Sequence, residues 1–441
     1  MLSLSLLGGL LLLASSANAF PPVQTKKQLA PTPPMGWNTW NHFHCNISEE
    51  VIRGAMETFM AYKLQDFGYE YIIIDDCWQA PARDPDSGAP LVDPVQFPLG
   101  MKHLSDRAHE LGLKFGMYSS AGIKTCAGRF GSLGYEEIDA KAYAAWGVDY
   151  FKYDNCWNEG RHGSQEISFE RYSNMSNALL ETGRPITYAM CNWGEDASWE
   201  WATEIAHSWR IYGDVSDEYD GYDKRCPCEP SEMYTCTYFG YRCSVARILE
   251  WAAPLHKYAR NGGWNDLDML EVGNGNMTYD EYVTHFSMWA LLKSPLILGN
   301  NLPKMTPEDL SIVTNREIIR INQDPLGIPA RRIWKKSIAG GDLQLWFGPL
   351  SDHEHVVALW NNSPEPLSTT ISFSDLFEDY DNMTAVQAWD LWWPRESHVH
   401  QVSFKGLLYQ ELTASLRTHQ TGVWRIRWPK SDGPTLIVQP M

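Results

Sequence analysis

The stretch Val148–Trp157 reads VDYFKYDNCW, and the rest of the chain is interpreted from it. It begins with the aromatic residues of a buried strand and ends in polar groups. Because side chains alternate along a strand, Val148, Tyr150, Lys152 and Asp154 are predicted to share one face. A lysine and a carboxylate there are costly to bury unless they are paired or take part in chemistry. The stretch alone is compatible with a structural ion pair or with a functional site.

The same pattern of a short apolar strand, a loop and a helical stretch recurs eight times. The predicted strands cover residues 35–40, 69–78, 113–120, 148–156, 185–193, 207–214, 262–270 and 294–300. Helices between them are predicted at 48–64, 135–147 and 306–322, among others. Strands that alternate with helices indicate a parallel sheet covered by helices. Eight such units predict a (β/α)8 TIM barrel at residues 29–325. A doubly wound sheet is the alternative, but no glycine-rich phosphate fingerprint follows the first strand.

The pattern changes after residue 327. Runs such as LQLWFGPL and EHVVALWN alternate or are rich in aromatic residues, and Pro, Asp, Asn and Gly separate them. Residues 328–441 are therefore predicted to form an antiparallel β-sandwich domain. No chemistry is evident in this domain, which favours a stabilising or docking role.

The first residues and the overall charge limit where the protein acts. The N-terminus carries a short leucine-rich run and then Ala17-Asn18-Ala19, so residues 1–19 are predicted to be a signal peptide. That run is too short to span a bilayer. The formal net charge of −18 argues against nucleic acids and anionic membranes as partners. We expect a soluble secreted protein.

Nine cysteines in a secreted chain predict disulfides with one thiol left over. Adjacent strand ends should bring together Cys45 with Cys77, and Cys126 with Cys156. Four more, Cys226, Cys228, Cys236 and Cys243, should pair among themselves in one of three connectivities. Cys191 is left as a buried residue beside the strand ends. Sequons predict glycosylation at Asn46, Asn174, Asn276, Asn361 and Asn382, of which Asn361 is the weakest because Pro364 follows its serine.

Polar side chains gather at the carboxyl ends of the predicted strands. They include Trp40, Asp75, Asp76, Tyr118, Lys152, Asp154, Asn192, Trp193, Arg210, Asp214, Asp266 and Asp268. In a barrel these ends converge on one mouth, where active sites of this fold lie. An Mg²⁺ or Ca²⁺ site is one reading, but no EF-hand spacing or paired histidines support a metal. Glycoside hydrolysis fits better, because it needs two carboxylates, further acids for hydroxyl groups and aromatic surfaces.

The chain resembles the secreted fungal α-galactosidases (melibiases) of glycoside hydrolase family 27. The resemblance covers nearly the whole chain from Leu29. Its motifs are PPMGWNTW (33–40), IIIDDCW (72–78), KFGMYSSAG (114–122), YFKYDNC (150–156), CNWG (191–194), WRIYGD (209–214) and GGWNDLDML (262–270). Seven ordered motifs are a specific signal for this family.

The resemblance implies roles for individual residues. Asp154 is similar to the family's nucleophile and Asp214 to its acid/base. The remaining matched positions imply galactose binding by Trp40, Asp75, Asp76, Tyr118, Lys152, Asn192, Trp193, Arg210, Asp268 and Met269. Lys152 is expected to keep Asp154 ionised, and Asp214 is expected to have a raised pKa.

The implied activity is retaining hydrolysis of terminal α-galactose from oligosaccharides and polysaccharides, without a cofactor. The bulky Trp193 favours a plain 2-hydroxyl over an acetamido group, so an α-N-acetylgalactosaminidase is the alternative. A galactose-binding protein without catalysis is a further reading, which the two intact aspartates disfavour. The insertion at 226–243 is expected to shape the subsites beyond galactose. The sequence leaves the oligomeric state open, with a homo-oligomer among the options.

Overall fold

The computed structural model describes residues 29–377, 385–393, 401–408 and 410–427. The predicted signal peptide and the sequon at Asn382 lie outside the described residues. Within those ranges, no helix has both the length and the apolar character that a membrane span requires.

A parallel eight-stranded sheet forms the first part of the chain. Its strands are β1 (Met35–Asn38), β2 (Tyr71–Ile73), β3 (Lys114–Ser120), β4 (Tyr150–Asp154), β5 (Thr187–Cys191), β6 (Ser208–Arg210), β7 (Trp264–Asp266) and β8 (Leu296–Leu298). They lie in the order β7-β6-β5-β4-β3-β2-β1-β8. A parallel bridge between Leu270 and Leu298 joins the two edges. The predicted barrel is confirmed, and each strand is shorter than its predicted range because the polar ends belong to loops.

The two faces of β4 meet different surroundings. Tyr150 packs in a small core inside the barrel with Tyr71, whereas Phe151 and Tyr153 pack in the large core beneath the helices. Lys152 and Asp154 therefore continue the inward row that begins at Tyr150. Val148 was predicted on that row but precedes the strand, and it packs in the helix-side core instead.

Helices surround the sheet. Their bounds are α1 (Trp40–Phe43), α2 (Glu49–Ala61), α3 (Gly100–Glu110), α4 (Glu136–Trp146), α5 (Gln165–Glu181), α6 (Val245–Ala252), α7 (Tyr279–Leu291), α8 (Pro307–Val313) and α9 (Arg316–Asn322). Between β5 and β6 the chain forms short 3₁₀ turns at Glu195–Glu200 and Ala202–Glu204.

The single helix predicted at 306–322 is wrong, because the segment forms two helices. Thr314 ends α8, and Asn315 caps α9 by accepting hydrogen bonds from the main-chain N–H groups of Glu317 and Ile318. An asparagine side chain competes with the helical backbone in this way and favours a new helix start over continuation.

Antiparallel strands build the second part of the chain. They are β9 (Arg331–Ile338), β10 (Gly341–Pro349), β11 (Glu354–Asn362), β12 (Leu367–Ser372), β13 (Val386–Trp393), β14 (Gln401–Leu408), β15 (Glu411–Leu416) and β16 (Thr421–Arg427). Six of these strands form one sheet. The other two, β12 and β15, pair with each other and pack across one face of that sheet. Leu345 and Phe347 fill the core between the two sheets, while Trp346 packs toward the barrel. The predicted β-sandwich is confirmed.

The β-sandwich also contacts the loop that follows β6. The indole of Trp360 donates a hydrogen bond of 2.6 Å to the hydroxyl of Tyr219, and the ring of His419 stacks on Tyr219 at a centroid distance of 4.2 Å. Because this loop begins just after Asp214, the second domain supports the polar mouth of the barrel as well as its outer wall.

The predicted disulfides are present. Cys45 joins Cys77, Cys126 joins Cys156, and the connectivity left open is Cys226–Cys243 with Cys228–Cys236. Cys191 is free and buried.

One predicted glycosylation site needs correction. Asn361 is fully buried, and its side-chain amide donates hydrogen bonds to the carbonyls of Glu365 and Arg417. A glycan has no access to this nitrogen in the folded protein, so the expectation for Asn361 is wrong. Asn46, Asn174 and Asn276 are exposed and remain predicted sites.

Candidate active site

Asp154 lies at the end of β4, where the inward row of that strand reaches the mouth of the barrel. Its side chain is buried, and each oxygen has a donor: the hydroxyl of Tyr118 at 2.9 Å and the main-chain N–H of Asn155 at 2.8 Å. Burial raises the pKa of Asp154 above its ordinary value, whereas the charge of Lys152 and the N–H of Asn155 lower it. The carboxylate is thus held in one orientation by two hydrogen bonds.

Lys152 has a different direct partner from the one the sequence suggests. Its ammonium group donates to Asp75 at 2.8 Å, and the amide of Asn38 donates to the same oxygen at 2.8 Å. Burial lowers the pKa of Lys152, but Asp75 and the other acidic groups around it, including Asp154 and Asp268, together outweigh burial and raise that pKa. Lys152 therefore acts on Asp154 through space, while its hydrogen bond belongs to Asp75. The structural ion pair considered for this stretch is thus formed by Lys152 with Asp75. The lowering of the Asp154 pKa by Lys152 agrees with the expectation that Lys152 keeps Asp154 ionised.

Asp76 connects two of the loops that carry disulfides. Its carboxylate accepts hydrogen bonds from the main-chain N–H groups of Cys77 and Ala127, at 2.7 and 2.8 Å. Burial raises the pKa of Asp76, and those N–H groups oppose the rise. Cys77 is bonded to Cys45, and Cys126 is bonded to Cys156. Asp76 therefore joins two loops, each of which is held by its own disulfide.

Arg210, at the end of β6, joins two further carboxylates. Its guanidinium group contacts Asp214 at 3.0 Å and Asp268 at 3.1 Å. Asp268 has a left-handed backbone (φ 81°) and also accepts the main-chain N–H of Val215. A non-glycine residue in this region is strained, and such strain is often found at functional sites. The ion pairs fix the relative positions of the loops after β6 and β7.

Asp214 is the most open of these acids, with 37% of its side chain exposed. Burial of its carboxyl group nevertheless raises its pKa to about 6, against the lowering effect of Arg210. The charge of Asp154 contributes to the rise, so the two carboxyl groups lie close enough to interact. One buried acid with two donors and one partly exposed acid with a pKa of about 6 are suited to different roles.

The remaining predicted residues line the mouth or the cavity below it. Trp40 packs at the rim of the inner barrel core, and Met269 belongs to that core. A small cavity beneath the acids is lined by Asn38, Lys152, Cys191, Arg210, Asp266, Asp268 and Met269, with apolar neighbours. The structure therefore brings together most of the residues predicted at the strand ends.

Asn192 is not among the residues that line this cavity. It is fully buried, and its amide donates to the carbonyl of Glu195 within its own loop at 3.0 Å. Asp75, Asp76 and Tyr118 are buried to nearly the same degree, so burial does not decide the predicted sugar contact of Asn192, which stays a prediction. The adjacent Trp193 has a left-handed backbone (φ 60°) and is half-buried; its predicted contact stays a prediction.

Several site residues were not predicted as such from the sequence. Asn38 donates a hydrogen bond to Asp75. Asp266 was placed at its strand end without an assigned role, and burial raises its pKa to about 6. Glu271 is buried between the amides of Asn41 and Asn274, and burial raises its pKa to about 8. Asn38 lies within the motif PPMGWNTW and Glu271 directly follows the motif GGWNDLDML, and these positions are the signal that could have indicated them.

The Cys-rich insertion is hydrogen-bonded to the backbone of Asp214. The N–H of Asp214 donates to the carbonyl of Gly240, and its carbonyl accepts from the N–H of Cys243. Next to Asp214 the insertion borders a cleft of about 450 Å³. Its lining includes Trp40, Asn41, Asp214, Asp217, Arg225, Tyr241, Arg242, Glu271 and Asn274. The cleft thus extends outward from the acid with the raised pKa.

The ligand atoms at the mouth of the barrel do not favour a metal site. Among the described residues, the one cluster with ligand atoms close together is Cys126, Asp154 and Cys156. The two sulfur atoms are bonded to each other and are not available as thiolate ligands. Asp154 alone does not form a metal site.

Comparison with known families agrees with this architecture. The family model described as alpha galactosidase A matches residues 32–226 and 228–324. The model of the alpha galactosidase C-terminal beta sandwich domain matches residues 340–426. The chain therefore belongs to the alpha galactosidase family, with both of its domains.

Individual relatives extend over most of the chain. An alpha-galactosidase of Lachancea cidri is 49% identical over 383 residues, which are 84% of this chain and 81% of the relative. Alpha-galactosidase mel1 of Schizosaccharomyces pombe is 47% identical over 399 residues, 90% of this chain and 89% of the relative. The solved structure of alpha-galactosidase I from Mortierella vinacea superposes with a TM-score of 0.86 at 44% identity, covering 91% and 98% of the two chains.

Proposed function

We propose that this protein is a secreted, retaining α-galactosidase, which removes terminal α-linked galactose from oligosaccharides and polysaccharides. The observation that carries the proposal is the pair of carboxyl groups at the mouth: Asp154, buried with a donor on each oxygen, and Asp214, partly exposed with a pKa of about 6. Relatives named alpha-galactosidase, and a structure of the Saccharomyces cerevisiae enzyme with raffinose, support the substrate class.

The chemistry follows from the two environments. An oxygen of Asp154 attacks the anomeric carbon and forms a glycosyl ester, while Asp214 transfers its proton to the leaving oxygen. Asp214 then removes a proton from a water molecule, which attacks the same carbon and releases Asp154. Two inversions return galactose in the α configuration. No cofactor enters either step.

The other residues at the mouth would bind galactose and keep the acids in place. Asp75 and Asp76 are buried carboxylates whose accepted hydrogen bonds fix them beside the nucleophile. Arg210 and Asp268 lie next to Asp214 on the other side. We assign catalysis to residues 29–325 and support of the barrel to residues 328–441. Secretion is supported by the predicted leader at 1–19 and by four disulfides.

The test compares two chromogenic substrates on the protein and on Asp154→Asn. Hydrolysis of p-nitrophenyl α-D-galactoside should be much faster than that of the N-acetyl-α-galactosaminide. Asp154→Asn should lower kcat for the galactoside by roughly 10³-fold or more, because an amide is a poor nucleophile. The exposed Asp86→Asn serves as the control and should retain full activity. An equal or faster rate on the N-acetyl sugar would indicate the alternative enzyme, and full activity of Asp154→Asn would refute the assigned nucleophile.

The pH dependence follows from the same two groups. Asp214 must be protonated to act as the acid, so kcat/KM is fully present below its pKa and is lost as pH rises through about 6. Asp154 must be ionised, so activity is also lost as pH falls through its own pKa, which burial raises. We expect a bell-shaped profile with an acidic optimum. A maximum above neutral pH would contradict this assignment of roles.

We also propose that the insertion at 226–243 forms the subsite for the sugar next to galactose. The cleft beside Asp214 supports this, since Tyr241 from the insertion and Trp40 from the barrel both line it. The ring of Tyr241 is 56% exposed and presents an apolar face of the kind that stacks on a sugar.

Tyr241→Ala tests this subsite. The variant should lower kcat/KM for raffinose by about 3- to 10-fold, which corresponds to loss of one aromatic stacking contact. It should leave α-galactosyl fluoride unaffected, because fluoride makes no contact in the cleft. Tyr222→Ala removes a tyrosine that is 72% exposed and lies outside the cleft, and it should behave like the unaltered protein. Equal losses on both substrates would contradict the proposed subsite.

A further inference from the structure

A buried polar group lies directly behind Asp154, and the mechanism above does not use it. It consists of Asn155, Arg171 on α5 and Glu195 in the loop after β5, with exposed fractions of 2%, 0% and 8%. Arg171 and Glu195 have opposite charges, and their closest N and O atoms are 3.9 Å apart. Placing such a pair in a barrel wall is costly, and apolar residues of similar size would often be no less stabilising. Stability alone therefore gives little reason for these residue types.

Arg171 and Glu195 fix both polar atoms of the Asn155 side-chain amide. Its carbonyl oxygen accepts a hydrogen bond from Arg171 at 2.7 Å, and its amide nitrogen donates to Glu195 at 2.8 Å. The main-chain N–H of the same residue donates to Asp154 at 2.8 Å. Because both polar atoms of the Asn155 side chain are held, the main-chain N–H of Asn155 has little freedom to turn away from the Asp154 carboxylate.

Arg171 also fixes the backbone on the other side of Asp154. It donates to the carbonyl of Ala121 at 3.1 Å, and the N–H of Ala121 donates to the carbonyl of Asp154 at 2.8 Å. The next residue on the helix, Tyr172, donates to that same carbonyl at 3.1 Å. One helix therefore sets both the main chain and, through Asn155, one carboxylate oxygen of Asp154.

We infer that Arg171 and Glu195 are positioning residues for the reaction: through Asn155 they hold its main-chain N–H on Asp154 and so fix the orientation of the attacking oxygen. This inference rests on the proposed function, because it takes Asp154 as the nucleophile. Neither residue touches the substrate. The hydroxyl of Tyr118 holds the second oxygen independently of this group.

The charges near Glu195 and Asp154 determine how a variant of Glu195 would affect Asp154. Glu195 faces His162 at 3.1 Å and is influenced by the charge of Asp196 as well as by Arg171. The strongest charges acting on Asp154 come from Lys152 and Asp75. A variant of Glu195 is therefore expected to act on Asp154 mainly through the Asn155 hydrogen bond and less through direct charge.

Glu195→Met and Arg171→Met test the inference, with kcat, KM and the pH profile measured on p-nitrophenyl α-galactoside. Glu195→Met removes the oxygen that accepts the hydrogen bond from Asn155. A misaligned nucleophile should lower kcat by about 10- to 100-fold, with KM changed by less than about twofold, since galactose contacts are intact. The acidic limb of kcat/KM should move to higher pH, because the N–H of Asn155 lowers the pKa of Asp154 and that effect is weakened. Arg171→Lys keeps a positive donor and should retain more activity than Arg171→Met.

Glu354→Met is the matched control. Glu354 is also fully buried and accepts hydrogen bonds from Arg320, Arg425 and Arg427, but it lies in the β-sandwich. This variant should lower the thermal unfolding midpoint while leaving kcat and the acidic limb unchanged. If Glu195→Met behaves in the same way as the control, the positioning role is refuted.

Two further outcomes separate the inference from the function on which it rests. Full activity of Asp154→Asn in the same assay would overturn the proposed nucleophile. An inactive Asp154→Asn together with a wild-type profile for Glu195→Met would overturn the positioning role alone. If the Arg171 variants do not fold, Glu195→Met decides, since it keeps the approximate size of the side chain and removes the oxygen that accepts from Asn155.

Discussion

The hydrogen bond between Lys152 and Asp75 is the contact on which the mouth of the barrel depends. It joins the end of β4 to the residues that follow β2, with Nζ of Lys152 and Oδ2 of Asp75 2.8 Å apart. The two side chains are only 13% and 2% exposed. A buried ammonium group without a partner would lose its proton or open the site to water. With Asp75 as partner, Lys152 stays charged, and its field also favours the ionised form of Asp154. One ion pair therefore maintains both the geometry and the electrostatics of the proposed nucleophile.

A second set of charges produces the opposite environment two strands further along. Arg210 contacts Asp214 and Asp268, yet burial and the neighbouring carboxylates raise the pKa of Asp214 to about 6. The two proposed catalytic acids thus differ because of their neighbours and not because of their residue type. Asp154 is enclosed by donors, whereas Asp214 lies at the edge of the cleft, where a leaving group and then a water molecule can reach it.

The supporting structure reaches these acids from several directions. The insertion hydrogen-bonds the backbone of Asp214 on both sides, and its own shape is fixed by two disulfides. The β-sandwich packs Trp360 and His419 against Tyr219 in the loop that follows Asp214. Behind Asp154, Arg171 and Glu195 hold Asn155. The reacting groups are few, but the residues that orient them come from both domains.

Much of this arrangement was predictable from the sequence, because parallel strands bring their ends together whatever the details. Alternation placed Lys152 and Asp154 on one inward row, and strand order paired Cys45 with Cys77. The partner of Lys152 was not predictable, since it depends on how far Asp75 extends past the end of β2. Asn361 was misassigned because a sequon carries no information about burial.

The proposed mechanism depends most on Asp154 as the nucleophile, and covalent trapping tests that role most directly. A fluorinated galactosyl fluoride slows both displacements, but its good leaving group still allows the first one to proceed, so the glycosyl ester accumulates. Peptide mass spectrometry of the digested protein should then locate one fluorogalactosyl group on the peptide that contains Asp154. A label on a different carboxylate would contradict the claim, as would rapid turnover of ordinary substrate by a protein that never acquires the label.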